Sequence, residues 1–259
     1  MRYGVISDVH ANLPALEVVL AELERAGVDA YACSGDLVGY GPQPNECIEV
    51  VRELGAACVA GNHDLIALGK LSEDRCERVA RESLRWTRGA LDDPARNYLD
   101  GLPSQLELPG GLVLAHGSLD DPQEYVLRPE QATVQLGRLA ELYPAASILV
   151  LGHTHRAFAF DGATAASGLG AHRDLALDGA ARWLLNPGAV GQSREPRVRA
   201  RFMVLDLERR TATFRAVRYD VDRSRALLRR EGLPSGSVHL PPWRLKAVLR
   251  PAIRVARRT

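Results

Sequence analysis

Five of the seven histidines in this 259-residue chain sit in short polar clusters: Asp8-Val9-His10, Asn62-His63-Asp64, His116-Gly117 and His153-Thr154-His155. Each cluster follows an apolar, strand-like run, and so does the pair Gly35-Asp36. Together they offer imidazole nitrogens, carboxylate oxygens and an amide oxygen, with no thiolate. That donor set suits manganese, iron, zinc, nickel or cobalt, and fits an open catalytic site better than a closed structural zinc. There are enough donors for two metal ions.

Taken singly, each cluster has a plain structural explanation. Asp8-Val9-His10 reads as a helix cap with a surface histidine, Gly35-Asp36 as a turn, and Gly61-Asn62-His63-Asp64 as a tight polar loop. His153 and His155 are two residues apart, so an extended segment aims both rings into one site, although a solvated loop would carry the same pair. Five clusters at five strand ends are a stronger signal than any one of them.

The elements that must position these groups are legible from periodicity. Arg2–Ser7, Ala30–Ser34 and Ala56–Ala60 read as strands, and they alternate with helices over Leu13–Ala26 and Gln43–Leu54. Asn12 is a helix cap, Pro14 fits the first turn and Gly27 the C′ position. A β-α-β-α-β series implies parallel pairing, and in such sheets functional side chains collect beyond the carboxyl ends of the strands. Residues 73–101 read as helical with a break near Asp93-Pro94, covering the site from one side. Leu112–Ala115 and Ile148–Leu151 are apolar strands around a helix over Pro129–Leu142. Phe158–Phe160, Arg182–Leu185, Arg201–Leu207 and Thr211–Val217 are expected to form a second, more antiparallel sheet, with a turn at Asp206–Arg210. Asp222–Glu231 is helical, and a basic amphipathic tail occupies about 241–259.

Composition is that of an ordinary globular chain, 46% hydrophobic and 25% charged, so disorder is excluded. Met1-Arg2-Tyr3 runs straight into the first strand and no apolar run is long enough for a membrane span, so no signal peptide is expected and a cytoplasmic location is. Cys33, Cys47, Cys58 and Cys76 lack metal or redox spacing and read as reduced, buried thiols. The net charge of +1 hides an asymmetry, because residues 194–259 carry 18 Lys and Arg against 6 Asp and Glu. Nucleic acid or an anionic surface is one partner for the basic tail; packing of its apolar stripe on the domain is the simpler reading. His172 and His239 lie outside every motif and read as surface residues.

In order, D-x-H, G-D, G-N-H-D, H and G-H-x-H are the pattern of the calcineurin-like metallophosphoesterases, which this chain resembles from Asp8 to His155. Asn186-Pro187-Gly188 is similar to the N-P-G turn of the smaller bacterial phosphodiesterase-like branch. Ala11 departs from the pattern, where glycine is common. The resemblance implies an α/β fold, a four-layer α/β/β/α sandwich of two mixed sheets flanked by helices, as a single domain over residues 1–259. It implies one metal held by Asp8, His10, Asp36 and His155, and a second held by Asp36, Asn62, His116 and His153. Manganese is the first choice, with a hydroxide bridging the two ions. Two divalent ions, Asp8, Asp36 and that hydroxide leave a net charge of about +1, ready for a phosphate anion.

On this reading the hydroxide attacks a phosphodiester or phosphomonoester, His63 protonates the leaving oxygen or stabilises charge on the phosphoryl group, and Asp64 orients His63 or caps the loop. Asn12, Tyr40 and Arg194 are expected to reach substrate, although one arginine among many is by itself a solvated charge. Two other readings compete: a catalytically silent metal-binding scaffold of the same fold, which would be expected to lack His63 or a ligand, and an amidohydrolase, whose H-x-H comes early rather than late.

Overall fold

The computed structural model describes residues 1–167 and 169–241. Its strands are β1 (Arg2–Ile6), β2 (Ala30–Cys33), β3 (Ala57–Cys58), β4 (Gln105–Leu108), β5 (Leu112–Ala115), β6 (Ile148–Val150), β7 (Ala157–Phe160), β8 (Ala165–Ser167), β9 (His172–Ala176), β10 (Trp183–Pro187), β11 (Ala200–Asp206) and β12 (Thr211–Val217). The helices are α1 (Leu13–Arg25), α2 (Pro44–Glu53), α3 (Asn62–Ala67), α4 (Arg78–Ala90), α5 (Asp93–Asp100), α6 (Pro129–Leu142) and α7 (Val221–Arg230). Among them, no helix is long and apolar enough to cross a membrane.

Two six-stranded sheets stack face to face, one ordered β3-β2-β1-β11-β12-β9 and the other β4-β5-β6-β10-β7-β8. The period of two along each strand sorts side chains between layers. Val5, Met203 and Leu205 point into the space between the sheets, where they meet Leu112, Leu114, Ile148 and Val150. Their neighbours Ile6, Phe202 and Val204 point outward, under Leu16, Val19 and Leu23 of α1 and Ile48 and Val51 of α2. On the far side Val113, Leu149 and Leu184 pack under Leu136 and Leu139 of α6. The result is the four-layer α/β/β/α sandwich. Each fully buried Leu, Ile or Phe in these layers stabilises the fold by about 1.5–3 kcal/mol.

Strands β1, β2 and β3 pair in parallel, as the β-α-β-α-β series requires. The division into sheets differs from expectation. β11 and β12 join the first sheet, β11 lying antiparallel against β1, while β5 and β6 belong to the second. Local pattern could not decide this, because β11 is buried along its whole length and suits either sheet. Three short strands, β4, β8 and β9, fall where the sequence reads as helix or loop. β8 and β9 are largely exposed edge strands with weak alternation.

Helix ends follow the expected punctuation. α5 opens at Asp93-Pro94, with Asp92 accepting the Ala95 N–H at 2.8 Å. Asn12 holds the cap position of α1, but its side chain makes no capping bond. Cys33, Cys47 and Cys58 are buried and all four thiols are free. The surface reading of His172 holds. That of His239 does not, since its ring is partly buried and bonds the Glu195 carbonyl at 2.7 Å. The basic tail beyond Pro241 lies outside the described residues.

Candidate metal centre

Five strand ends converge at one edge of the sandwich, and the loops that follow them are stitched together by main-chain bonds. Asp8 N donates to Gly35 O at 2.9 Å, His10 N to Asp36 O at 3.0 Å, Gly152 N to His116 O at 2.8 Å, and Gly191 N to Asp8 O at 2.8 Å. Asp8, His10, Ala11, Asp36, Tyr40, His153 and His155 all adopt positive φ, between 50° and 64°. For residues other than glycine this costs on the order of 1–3 kcal/mol each, and the surrounding bonds hold it in place. Ala11 therefore stands in a left-handed position at φ 52°, which glycine would fill without strain.

All seven expected ligands are buried, none more than 6% exposed. Asp8, His10 and His155 form one group whose ligand atoms lie within 4.8 Å of one another; Asp36, His116 and His153 form another; and His10, Asp36 and His63 a third. Asp36 Oδ2 links them, 3.7 Å from His10 Nε2 and 3.2 Å from His116 Nε2. Asn62 Oδ1 lies 3.1 Å from His116 Nε2.

The hydrogen bonds fix which nitrogens are free. Carbonyls only accept, so the Nδ1–H groups of His10, His116 and His155 donate to Val38 O at 2.9 Å, Ser34 O at 2.6 Å and Gln192 O at 2.7 Å. In the neutral rings of His10 and His155 that tautomer leaves Nε2 as a bare lone pair, while His116 Nε2 turns to Asp36 Oδ2 at 3.2 Å. His10 Nε2 and His155 Nε2 then face each other at 3.1 Å, with Asp8 Oδ1 3.2 Å from the latter. Asp36 Oδ2 and His153 Nε2 are buried without any hydrogen-bond partner among the described residues. Converging lone pairs and orphaned acceptors are the signature of a cation site, and these donors fit divalent metal.

The electrostatics agree. Burial holds His10 and His153 well below the ordinary histidine range and His63 down to about 4, so their rings are neutral ligands or acceptors. Burial also lowers His116, but the Asp36 and Asp8 charges outweigh it and hold the ring at about 9, a proton that a bound cation would displace. Burial raises Asp36, yet the charge of His116 keeps it well below the usual carboxylate range.

Asp64 does not touch His63. Its Oδ2 accepts the N–H groups of Asp36 and Gly61 at 2.9 Å each, and its Oδ1 that of Val38 at 3.1 Å. Of the two roles expected for it, orienting His63 or capping the loop, these bonds are those of the cap: the carboxylate ties the Gly35-Asp36 turn to the start of α3. Burial and the Asp36 charge push it up to about 7 against the pull of Gly61 and Val38 N–H. A cation on Asp36 would relieve that repulsion. Gly61 is required by close approach, since a Cβ there would lie 2.1 Å from Asp36 Oδ1.

His63 N donates to Asp36 Oδ1 at 2.8 Å, and its Nδ1 is buried without a partner. Tyr40 is nine-tenths buried, with its ring 4.7 Å from that of His10 and 4.8 Å from that of His63. Its backbone N–H is held by Ser83 Oγ on α4 at 3.0 Å, so the 73–101 region does back one side of the site. Arg194 is not a solvated charge; it is 5% exposed and bonds Gln192 Oε1 at 3.2 Å and the Tyr125 hydroxyl at 3.3 Å. The Asn12 side chain is taken up by protein groups, Gly191 O at 2.9 Å, Tyr219 Oη at 3.2 Å and Ser224 Oγ at 2.8 Å, so it braces α1 against α7.

The sequence reading missed two contributors. Tyr125 stacks on His153 with 4.1 Å between centroids, from a loop with no motif. Asn186, read as part of a turn, lies within β10 and holds the His153 loop through Gly152 O at 2.7 Å and Thr154 Oγ1 at 3.1 Å.

A family model, the calcineurin-like phosphoesterase superfamily domain, matches residues 1–210. The chain belongs to that superfamily. Among solved structures it is similar to a metallophosphoesterase from Sphaerobacter thermophilus, at 35% identity and a TM-score of 0.78 over 92% of this chain and 96% of the other. Among curated proteins it is 31% identical over 236 residues to an uncharacterized protein of Methanocaldococcus jannaschii, covering 89% of this chain and 93% of that one. It is also 33% identical over 127 residues to a symmetrical bis(5'-nucleosyl)-tetraphosphatase of Proteus mirabilis, over 46% of this chain and 45% of that protein.

Proposed function

We propose that this protein hydrolyses phosphodiester bonds with two divalent metal ions. Asp8, His10, Asp36 and His155 would hold one, and Asp36, Asn62, His116 and His153 the other, with Asp36 common to both. The observation that carries this reading is the pair of bare Nε2 atoms of His10 and His155 at 3.1 Å, beside an unpartnered Asp36 Oδ2. Manganese is the first ion to try, with iron, zinc, nickel and cobalt after it. When bound, such ions lower the pKa of a water from about 15.7 to near 7 and orient phosphate for in-line displacement.

The chain's own residues do the rest. Nδ1–H bonds to carbonyls fix three ligand rings, and Asp64 fixes the backbone that carries Asp36. His63, neutral and facing the centre, offers its ring N–H to the phosphoryl group; it passes a proton to the leaving oxygen only once the arriving phosphate anion has drawn a second proton onto the ring. Tyr40 and Arg194 border the place where phosphate enters. A diester is favoured over a monoester because the tetraphosphatase relative acts on a diesterified phosphate chain.

A metal-by-substrate screen, starting from manganese with aryl monoesters and diesters, tests this. His63→Ala is expected to keep its metal and lose about 10²–10⁴-fold in kcat. Asp36→Ala is expected to lose metal occupancy as well. Undiminished diester turnover by metal-loaded His63→Ala would refute the role given to that ring.

A further inference from the structure

Arg194 is a guanidinium buried to 5% exposure beside a centre that would itself be cationic. It bonds the hydroxyl of Tyr125, whose ring packs 4.1 Å from that of His153, so it borders the site. Among the described residues no carboxylate pairs with it. Glu195, its neighbour in sequence, is engaged by Arg201, and Glu77 feels Arg194 only at longer range. A guanidinium has five N–H donors. Two are used here, on Gln192 Oε1 and the Tyr125 hydroxyl, and both partners are neutral. Arg156, directly after the ligand His155, also lacks an ion pair among the described residues and feels the Arg194 charge. Burying cations together is costly unless an anion completes the site.

A lone phosphodiester carries one negative charge, which the metal ions themselves can meet. Arg194 feels the Asp8 charge but contacts no carboxylate among the described residues, so its free donors can take a further anion. It is also aimed, since Tyr125 packs on His153 and holds the Arg194 fork by its hydroxyl, with the Arg194 Cζ 5.8 Å from the Tyr125 ring centre.

We propose that Arg194, held by Tyr125 and Gln192, seats a second phosphoryl group of the substrate, so the protein acts on phosphate esters bearing two or more linked phosphates. This rests on the phosphoester reading above. Arg194 supplies a planar pair of donors for phosphate oxygens, Tyr125 fixes the fork, and Arg156 adds positive charge at the rim.

The test is calorimetric binding of AMP and ADP, two probes differing by one phosphate, to the metal-loaded protein in excess manganese. Wild type is expected to bind ADP about tenfold or more tightly than AMP, the scale of one charge-assisted phosphate contact. Arg194→Met should bring the two affinities within about twofold, and Tyr125→Phe, a gentler change, should narrow the gap. In parallel, Arg194→Met should lose at least about tenfold more kcat/KM on a dinucleoside tetraphosphate than on bis(p-nitrophenyl) phosphate. Equal binding of AMP and ADP by wild type, or an equal loss of both in Arg194→Met, would overturn the proposal. Lack of hydrolysis of any ester, with the ADP preference intact, would sink the catalytic reading and leave the phosphate seat standing.

Discussion

Asp64→Asn separates a structural carboxylate from a catalytic one. The wild-type carboxylate is fully buried and accepts three backbone N–H groups, from Asp36 and Gly61 at 2.9 Å and from Val38 at 3.1 Å. Asparagine keeps the shape but has one acceptor oxygen. In its better orientation that oxygen replaces Oδ2 and retains two bonds, each weaker by about 1 kcal/mol because the acceptor is neutral. The amide NH₂ then faces the Val38 N–H, and a stranded buried donor costs about 1–3 kcal/mol more. With a cation on Asp36 to offset the repulsion that otherwise pushes Asp64 up to about 7, the sum is about 3–5 kcal/mol, which for a chain of this size lowers Tm by roughly 10 °C. Because the Asp36 backbone is one of the tethered groups, metal affinity should fall with stability. Urea denaturation in saturating manganese, with manganese titration of the folded variant, measures both. A variant within 1 kcal/mol of wild type that binds metal normally yet loses a hundredfold in kcat would show that Asp64 acts through His63 after all.

Three further outcomes are expected. A Cβ on Gly39, at φ 86°, would lie 2.3 Å from His63 Nδ1, so Gly39→Ala should displace that ring and cost about 1–2 kcal/mol of backbone strain as well. Its kcat should approach that of His63→Ala with metal retained; wild-type turnover would refute the placement of His63. Asn186→Ala removes three buried bonds, to Gly152 O, Thr154 Oγ1 and the Gly188 N–H, and should destabilise by about 2–4 kcal/mol while loosening the loop that carries His153 and His155. Unchanged urea stability and metal affinity would contradict that. Chelation should lower the melting temperature, since an ion at a hundred times its Kd stabilises by about 2.7 kcal/mol per site; superimposable melts with EDTA and with manganese would argue against a metal centre.

The site was legible because it is written in residue types that have few other reasons to occur together. Asp8, His10, Asp36, Asn62, His116, His153 and His155 are named by motif and by position after a strand, and the structure brings all seven into one buried cluster. Asp64 shows where such reading stops. Its place beside His63 in the chain suggested a partnership, but α3 begins at Asn62 and turns the carboxylate back to the N–H groups of Asp36, Val38 and Gly61. Arg194 looked like one more surface arginine, because burial is a property of the packed loops and not of the residue. The carbonyls that orient His10, His116 and His155 belong to Val38, Ser34 and Gln192, and backbone acceptors have no sequence signature.

The sequence by itself determined the β-α-β-α-β start, through the alternation of period-two and helical apolar patterns, and the candidate donor clusters at strand ends; the four-layer sandwich and the division of those donors between two metals were what the family resemblance implied. Only the tertiary structure decided which sheet β11 and β12 join, because a strand buried on both faces carries no local mark of its neighbour. Likewise only the packed loops decided the strained left-handed backbone at the candidate ligands, the tautomers of the rings and the burial of Arg194 with no paired carboxylate among the described residues. Those depend on contacts between separate loops, such as His10 with Val38, His116 with Ser34 and His10 with His155, which no local pattern encodes.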